Sequence, residues 1–248
     1  MQTEGKFVRA ETRRQLKQDK FSRATIQVAE QTVHWSVEHK GKIFAGSIVL
    51  IVVISAALGS WYYLEKQDEK ASADFTKAVQ TMNTPVRPAG MPPQLNEPTF
   101  GSGTERATEA HKQFQAIVNR YPHTRSADFA HYFLGVTSAS TGDNVAAERE
   151  FKNVAGYHNS ELSSLAKMAL ASLYLDTNRS QDGINIYKQL IHNPTQTVGK
   201  TAAEVQLAEA YKAAGNNTEA KKQYEQIQKE APQSEAAEFA KSKLQEMK

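Results

Sequence analysis

Three tight turns recur at nearly constant spacing in the C-terminal part of this chain. They limit its fold more than any other feature. Gly142-Asp143, Asn178-Arg179 and Gly215-Asn216 lie 36 and 37 residues apart. Seven residues before each turn stands a small residue (Gly135, Ala171, Ala208), and eight before stands a leucine (Leu134, Leu170, Leu207). Five residues after come Ala147, Gly183 and Ala220; nine after, Phe151, Tyr187 and Tyr224; twelve after, Val154, Leu190 and Ile227. Apolar residues at this spacing face one side of a helix, so each unit predicts helix, turn, helix. A hairpin of this size cannot bury its own apolar face and needs a neighbour, which makes a period of this length the signature of a stacked array.

The pattern also begins and ends in a particular way. Ala110, Phe114, Ile117 and Pro122 repeat the spacing of Ala220, Tyr224, Ile227 and Pro232, so a second helix exists upstream without an evident first one. Residues 233–247, "QSEAAEFAKSKLQEM", predict a last helix with nothing after it, where a capping helix belongs. Small residues such as Gly135 and Gly183 allow two helices to approach, and Phe151, Tyr187 and Tyr224 fill the space between neighbours. The fold class is therefore all-α, with a helical-hairpin solenoid over 104–248.

A second feature sits near the other end. Residues 43–63, "IFAGSIVLIVVISAALGSWYY", carry no charge over 21 positions. A helix of that length spans about 30 Å, the thickness of a bilayer's hydrocarbon core. Trp61, Tyr62 and Tyr63 close the run, and such rings favour the headgroup zone. A buried soluble helix seldom avoids charge for so long. A signal peptide needs a short basic start, whereas 42 residues precede this run, although "SAALGS" has the small residues of a cleavage site. The expectation is a single retained transmembrane helix through the lipid bilayer.

Charge is uneven about this span. Residues 1–42 hold nine Lys/Arg against five acids, leaving 21 against 22 in the other 206 residues. The C-terminal part is close to neutral, so nucleic acid is not an expected partner. Within 20 residues of the span the basic residues tie, with Arg23, Lys40 and Lys42 before it and Lys66, Lys70 and Lys77 after. The whole short tail is the basic side, which predicts a cytoplasmic N-terminus and an exported C-terminal domain. The tail mixes Leu16, Phe21, Ile26, Val28, Val33 and Trp35 with basic residues, as a lipid-lying amphipathic helix or a solvated tail would.

Between span and repeats, residues 64–82 predict a continuing helix with Ala71, Phe75, Ala78 and Val79 on one side. Residues 83–103 hold five of the eight prolines, at 85, 88, 92, 93 and 98. Proline at this density precludes helix, so the stretch reads as a linker, or as an arm anchored by Met91, Leu95 and Phe100.

These spacings resemble the tetratricopeptide repeat, best in Leu207, Ala208, Tyr211, Gly215, Ala220, Tyr224, Ile227 and Pro232. The period exceeds that family's usual length of about 34. His131, Lys167 and Glu204 stand where the family favours Trp. The whole layout (basic tail, one membrane helix ending in "GSWYY", the outward helix "ASADFTKAV", degenerate repeats) is similar to the ancillary subunit of the bacterial Sec translocon, the YfgM-like family. That resemblance implies an inner-membrane protein with a periplasmic repeat domain. It also implies protein partners: translocon subunits, chaperones or emerging envelope proteins.

Chemistry finds little purchase. The chain has no cysteine, which excludes disulfides and thiolate chemistry. Its seven histidines show no i, i+4 pair around a glutamate, and no phosphate loop or nucleophile elbow occurs. No enzyme activity, cofactor or metal is expected; a hydrolase with a helical accessory domain is the enzymatic alternative. The expected function is a membrane-anchored, periplasmic protein-interaction platform. A scaffold for cell-division or outer-membrane assembly machinery and a cleaved soluble adaptor are its rivals.

The expected contact surface is the concave face of the first helices. By position it takes Phe129, Tyr132, Phe133 and Val136, then Leu165, Met168, Ser172 and Leu175, then Val205, Glu209 and Lys212. Such an apolar groove suits hydrophobic or helical segments, unless the linker or helix 64–82 fills it. Oligomeric state is not legible.

Overall fold

The computed structural model describes residues 40–88, 90 and 99–247. The proposed amphipathic tail and the arm residues Met91 and Leu95 lie outside the described residues. Among the described residues nine helices follow one another: α1 (Lys40–Asn83), α2 (Gly103–Arg120), α3 (Arg125–Ser140), α4 (Asn144–Ala155), α5 (Ser160–Asp176), α6 (Ser180–His192), α7 (Lys200–Ala213), α8 (Asn217–Glu230) and α9 (Glu235–Glu246).

Two compact units divide at Tyr63 and Leu64. In the first, α1 carries a stretch long and apolar enough to cross a membrane, none of it buried. Val49, Leu50, Ile51, Val52 and Val53 are all exposed, as are Trp61, Tyr62 and Tyr63. In water, so large a contiguous apolar surface is strongly disfavoured.

The second unit is the solenoid. Its three predicted turns close in one way. Gly142 (φ 84°), Asn178 (φ 59°) and Gly215 (φ 76°) adopt the left-handed conformation. The following amide reaches back to the carbonyl five residues earlier: Asp143 to Ser138 at 2.9 Å, Arg179 to Tyr174 at 2.7 Å and Asn216 to Tyr211 at 2.8 Å. This double closure satisfies carbonyls that a helix end leaves unpaired. The opposite ends are capped by Ser102, Thr124, Asp143, Asn159 and Ser234, each accepting from the first turn of its helix.

The first helix that the sequence pattern lacked is present after all. Residues 64–83 of α1 supply it. Ala71 and Ala78 are fully buried in one cluster with Ala110, Phe114, Ile117, Tyr121, Ala130 and Leu134, and Phe75, Val79 and Met82 pack against it. Polar contacts fix the register. Tyr121 donates its hydroxyl proton to Asp74 at 3.0 Å, the Ser126 amide and hydroxyl both donate to Asp68, and Thr81 donates to Gln113 at 3.0 Å. Residues near either end of the proline-rich stretch meet after α1. There Val86 and Phe100 form an isolated bridge, the Arg87 amide donating to the Phe100 carbonyl and the Phe100 amide to Pro85. Phe100, the one described arm residue, is half-buried.

Candidate protein-interaction surface

The predicted concave residues do not form one open groove. On α3, the Phe133 ring stacks on Phe114 at 5.0 Å and meets Phe75 edge-on at 5.6 Å, so α1 covers it. Phe129 also meets Phe75, at 6.2 Å, yet stays 38% exposed. Tyr132 tilts against Phe151 at 5.9 Å, and burial pushes its phenol pKa up. Val136 packs on the cluster of Phe151, Leu170, Leu173 and Tyr174. The alternative that helix 64–82 occupies this end of the groove is therefore realised at the first hairpin.

The other repeats behave similarly. Leu165, Met168 and Leu175 pack against the core of Ile184, Tyr187, Val198 and Leu207, whereas Ser172 is exposed. Val205 leans on Ala208, Tyr224 and Ile227. Glu209 accepts a short hydrogen bond from the Tyr224 hydroxyl. Burial first, and then that carboxylate, raise the Tyr224 pKa. Lys212 pairs with Glu246 of α9 at 3.4 Å. Most of the apolar members thus seal seams between hairpins, and Glu209 and Lys212 cross-link neighbouring helices, while Phe129 and Ser172 stay exposed.

A second polar seam joins the middle hairpins. Glu148 of α4 accepts from the Tyr174 hydroxyl at 3.0 Å and from Arg179 at 2.8 Å, and it pairs with Lys152 at 2.7 Å. Arg179 also lies over the Tyr174 ring, 3.9 Å from its centroid. Hydrogen bonding from Lys152, first among the causes, holds the Glu148 pKa below the ordinary carboxylate range.

Sequence reasoning missed one concave feature. A cavity of about 970 Å³ opens where the α4–α5 turn, the start of α5, the end of α6 and the loop after it converge; its lining includes Tyr157, Glu161, Lys167, Gln189, Asn193 and Gln196. The loop forming one wall is strapped down. Glu161 accepts from the amides of Gln196 (3.3 Å) and Thr197 (2.8 Å), and Ser164 and Thr195 share a hydrogen bond at 2.8 Å. The sequence signals were a 37-residue interval, which gives this loop its extra length, and Lys167 at a position the repeat pattern reserves for Trp.

Glu204, at the equivalent position one repeat on, is only 2% exposed. Lys200 lies 3.3 Å from its Oε1 and 2.6 Å from Glu230 of α8. The first contact has ion-pair distance but not hydrogen-bond alignment, so Glu204 Oε1 has no hydrogen-bond partner among the described residues. Replacing Lys200 by Met is expected to lower the melting temperature, because it leaves a buried carboxylate uncompensated. Glu204→Met is expected to be neutral or stabilising, by up to about 4 kcal/mol, since an apolar side chain suits the site. Thermal melts of both variants check this, and equal losses would contradict it.

Acid stability follows from the same contacts. Glu148, Glu150, Glu161, Glu230 and Glu246 all have lowered pKa values, caused first by hydrogen bonds from Lys152, His131, Thr197, Lys200 and Lys243 respectively. Only Asp128 is raised among the described carboxylates with a shift, chiefly by burial. A depressed carboxylate contributes stability that is complete above its unfolded pKa and is lost as pH falls through its folded value. The melting temperature is therefore expected to hold from neutrality to about pH 5 and to drop below about pH 4. A melting temperature that rises on acidification across that window would refute the assignment.

Comparison with known proteins places the fold. The family model of the tetratricopeptide repeat-like domain matches residues 33–248. The chain belongs to that family. Among solved structures it is similar to nearly identical TPR-like repeats from a Podosopora anserina protein named as a kinesin light chain. The TM-score is 0.54 at 15% identity, covering 73% of this chain and 85% of that one. At that identity the likeness speaks to the fold alone. No curated protein matches significantly. Tetratricopeptide-like repeats are protein-interaction scaffolds, and no enzymatic family is indicated.

Proposed function

We propose that this tetratricopeptide-like protein is a single-pass inner-membrane platform. It holds its repeat domain in the bacterial periplasm for protein partners of the Sec translocon and chaperone network. One observation carries the reading: α1 is a single helix that contains an unburied membrane-length apolar run and, from Leu64 on, the first helix of the repeat array. A binding scaffold built on its own anchor works at a membrane surface. The basic tail supports a cytoplasmic N-terminus, and the layout shared with the ancillary translocon family supports the partner class. Partner contact falls to what the seams leave open, including Phe129 and Ser172 of the predicted surface and the cavity beside α5.

The test is affinity capture of the tagged chain from detergent extracts, with and without prior crosslinking. Recovery of Sec subunits or periplasmic chaperones supports the proposal. Recovery of cell-division or outer-membrane assembly proteins instead transfers the protein to those machineries. A C-terminal reporter active only in the cytoplasm would overturn the orientation. Loss of about the first 60 residues from the intact mass would replace the anchor with a cleaved adaptor.

A further inference from the structure

One helical position, read across three repeats, singles out Lys167. His131, Lys167 and Glu204 are equivalent by the 36- and 37-residue spacing, and each is ionisable where the repeat pattern calls for Trp. Two of the three have an ionisable partner inside the solenoid. His131 Nδ1 lies 2.9 Å from Glu150 on α4. Glu204 has Lys200, which in turn reaches Glu230 on α8. The same register in the middle repeat replaces the position of Glu150 by Ile186 and that of Glu230 by Asn193. Lys167, half-buried on α5, has no carboxylate within ion-pair distance among the described residues. Glu161 is the one acid lining the same cavity, and its two oxygens are taken by the Gln196 and Thr197 amides.

The missing counter-charge coincides with missing volume. The cavity of about 970 Å³ opens at this repeat, with Lys167 among its walls and Tyr157, Gln189, Asn193 and Gln196 around it. These walls combine hydrogen-bonding side chains with a comparable apolar surface from Tyr157, Leu190 and Pro194. A half-buried lysine with no counter-charge on its own chain leaves its ammonium available to an anion supplied from outside. Its surroundings suit a short polar stretch of polypeptide rather than an isolated ion, because a cavity of this size holds several residues.

We propose that this edge cavity docks an acidic, extended segment of a partner protein, with a Glu or Asp carboxylate of that segment completing the ion pair to Lys167. This rests on the interaction-platform reading and adds the chemistry of one contact. The site lies at the open end of a hairpin, beside the strapped 193–199 loop. It is distinct from the apolar residues expected on the concave face.

The experiment uses the full chain in detergent micelles and a fluorescein-labelled heptapeptide, acetyl-Gly-Ser-Glu-Gly-Glu-Ser-Gly, with its Gln-for-Glu counterpart as control. Anisotropy is expected to give saturable binding of the acidic probe. Binding is expected to weaken at least about ten-fold for the Gln peptide and for Lys167→Met, and several-fold between about 0.05 and 0.3 M salt. Lys167→Met is expected to melt at or above the parent temperature, since no internal pair is broken. The proposal fails if the acidic probe does not bind, if Lys167→Met or the Gln peptide binds equally well, or if Lys167→Met is destabilised. It also fails if free glutamate competes as strongly as the peptide, which would mark a small-anion site. Should Lys167→Met lose the probe yet still capture envelope proteins from extracts, both readings stand, with other contacts carrying those partners. Should probe binding be absent while capture persists, the platform stands and this cavity is excluded.

Discussion

A chain starting at Thr84 is expected to lose its first hairpin, whereas one starting at Leu64 is expected to keep the whole solenoid. The difference is twenty residues of α1. They place Phe75, Val79 and Met82 against Phe114, Ile117 and Tyr121, and bury Ala71 and Ala78 completely. Burying a side chain of the larger kind contributes about 1.5–3 kcal/mol, so the three together contribute roughly 5 kcal/mol even when partly exposed. Hydrogen bonds from Tyr121 to Asp74, Ser126 to Asp68, Thr81 to Gln113 and Arg106 to the Thr84 carbonyl add to this; the last would survive the truncation in part. A domain's whole stability is about 5–15 kcal/mol, and repeat arrays unfold by nearest-neighbour units. The shorter chain should therefore show exchange of the α2 and α3 amides at near-unprotected rates, reduced helicity and exposed aromatic surface, while α6 to α9 stay protected. Equal melting and equal exchange in the two chains would show that residues 64–83 are no part of the repeat core. If the prediction holds, residues 64–83 are part of the repeat core.

Gly183→Val is expected to cost about 3 kcal/mol or more and to loosen the α5–α6 hairpin. A Cβ at Gly183 would sit 2.8 Å from the Ala171 carbonyl oxygen and 3.2 Å from the Leu175 side chain. A backbone atom cannot step aside, so the helices must separate. Gly183→Ala sets two effects against each other: helix propensity favours alanine by about 1 kcal/mol, and the collision with the carbonyl opposes it by about 1–3 kcal/mol. We expect a net loss. Gly135 provides a contrast within the same protein. There the added Cβ would lie 2.5 Å from the Phe151 ring, a side chain only 2% exposed. It too should destabilise, but through repacking of one ring rather than displacement of a helix. Because the cavity beside α5 has walls from both α5 and α6, a Gly183 variant that still folds should also change probe affinity. Urea melts of the three variants settle the order, and a Gly183→Ala protein more stable than the parent would contradict the collision.

Much of this architecture could be read before any coordinates. The small residues at Gly135, Ala171 and Ala208, and at Ala147, Gly183 and Ala220, mark helix contacts because close backbone approach tolerates nothing larger. Left-handed turns at Gly142, Asn178 and Gly215 were legible because few residues adopt that conformation without strain. The surface was harder to read. Phe133 and Leu165 sit at positions that face the groove in an ideal repeat, yet here they are half-buried in seams. An apolar side chain at a helical position has the same sequence signature whether a neighbouring helix or a partner covers it. The missing first helix escaped for a related reason: an insertion of prolines separates α1 from α2, so residues 71–79 fall outside the period although they pack inside the array.

The sequence by itself determined the things that depend on local spacing and composition. These are an all-helical repeat with its turns, and one apolar run long enough for a bilayer. Only the tertiary structure decided what depends on neighbours distant in the chain: that residues 64–83 complete the first repeat, that most apolar concave positions close the seams, and that Lys167 stands at a cavity while His131 and Glu204 find partners. The physical reason is that periodicity encodes which face of a helix is apolar. What meets that face is set by elements brought together only when the chain folds.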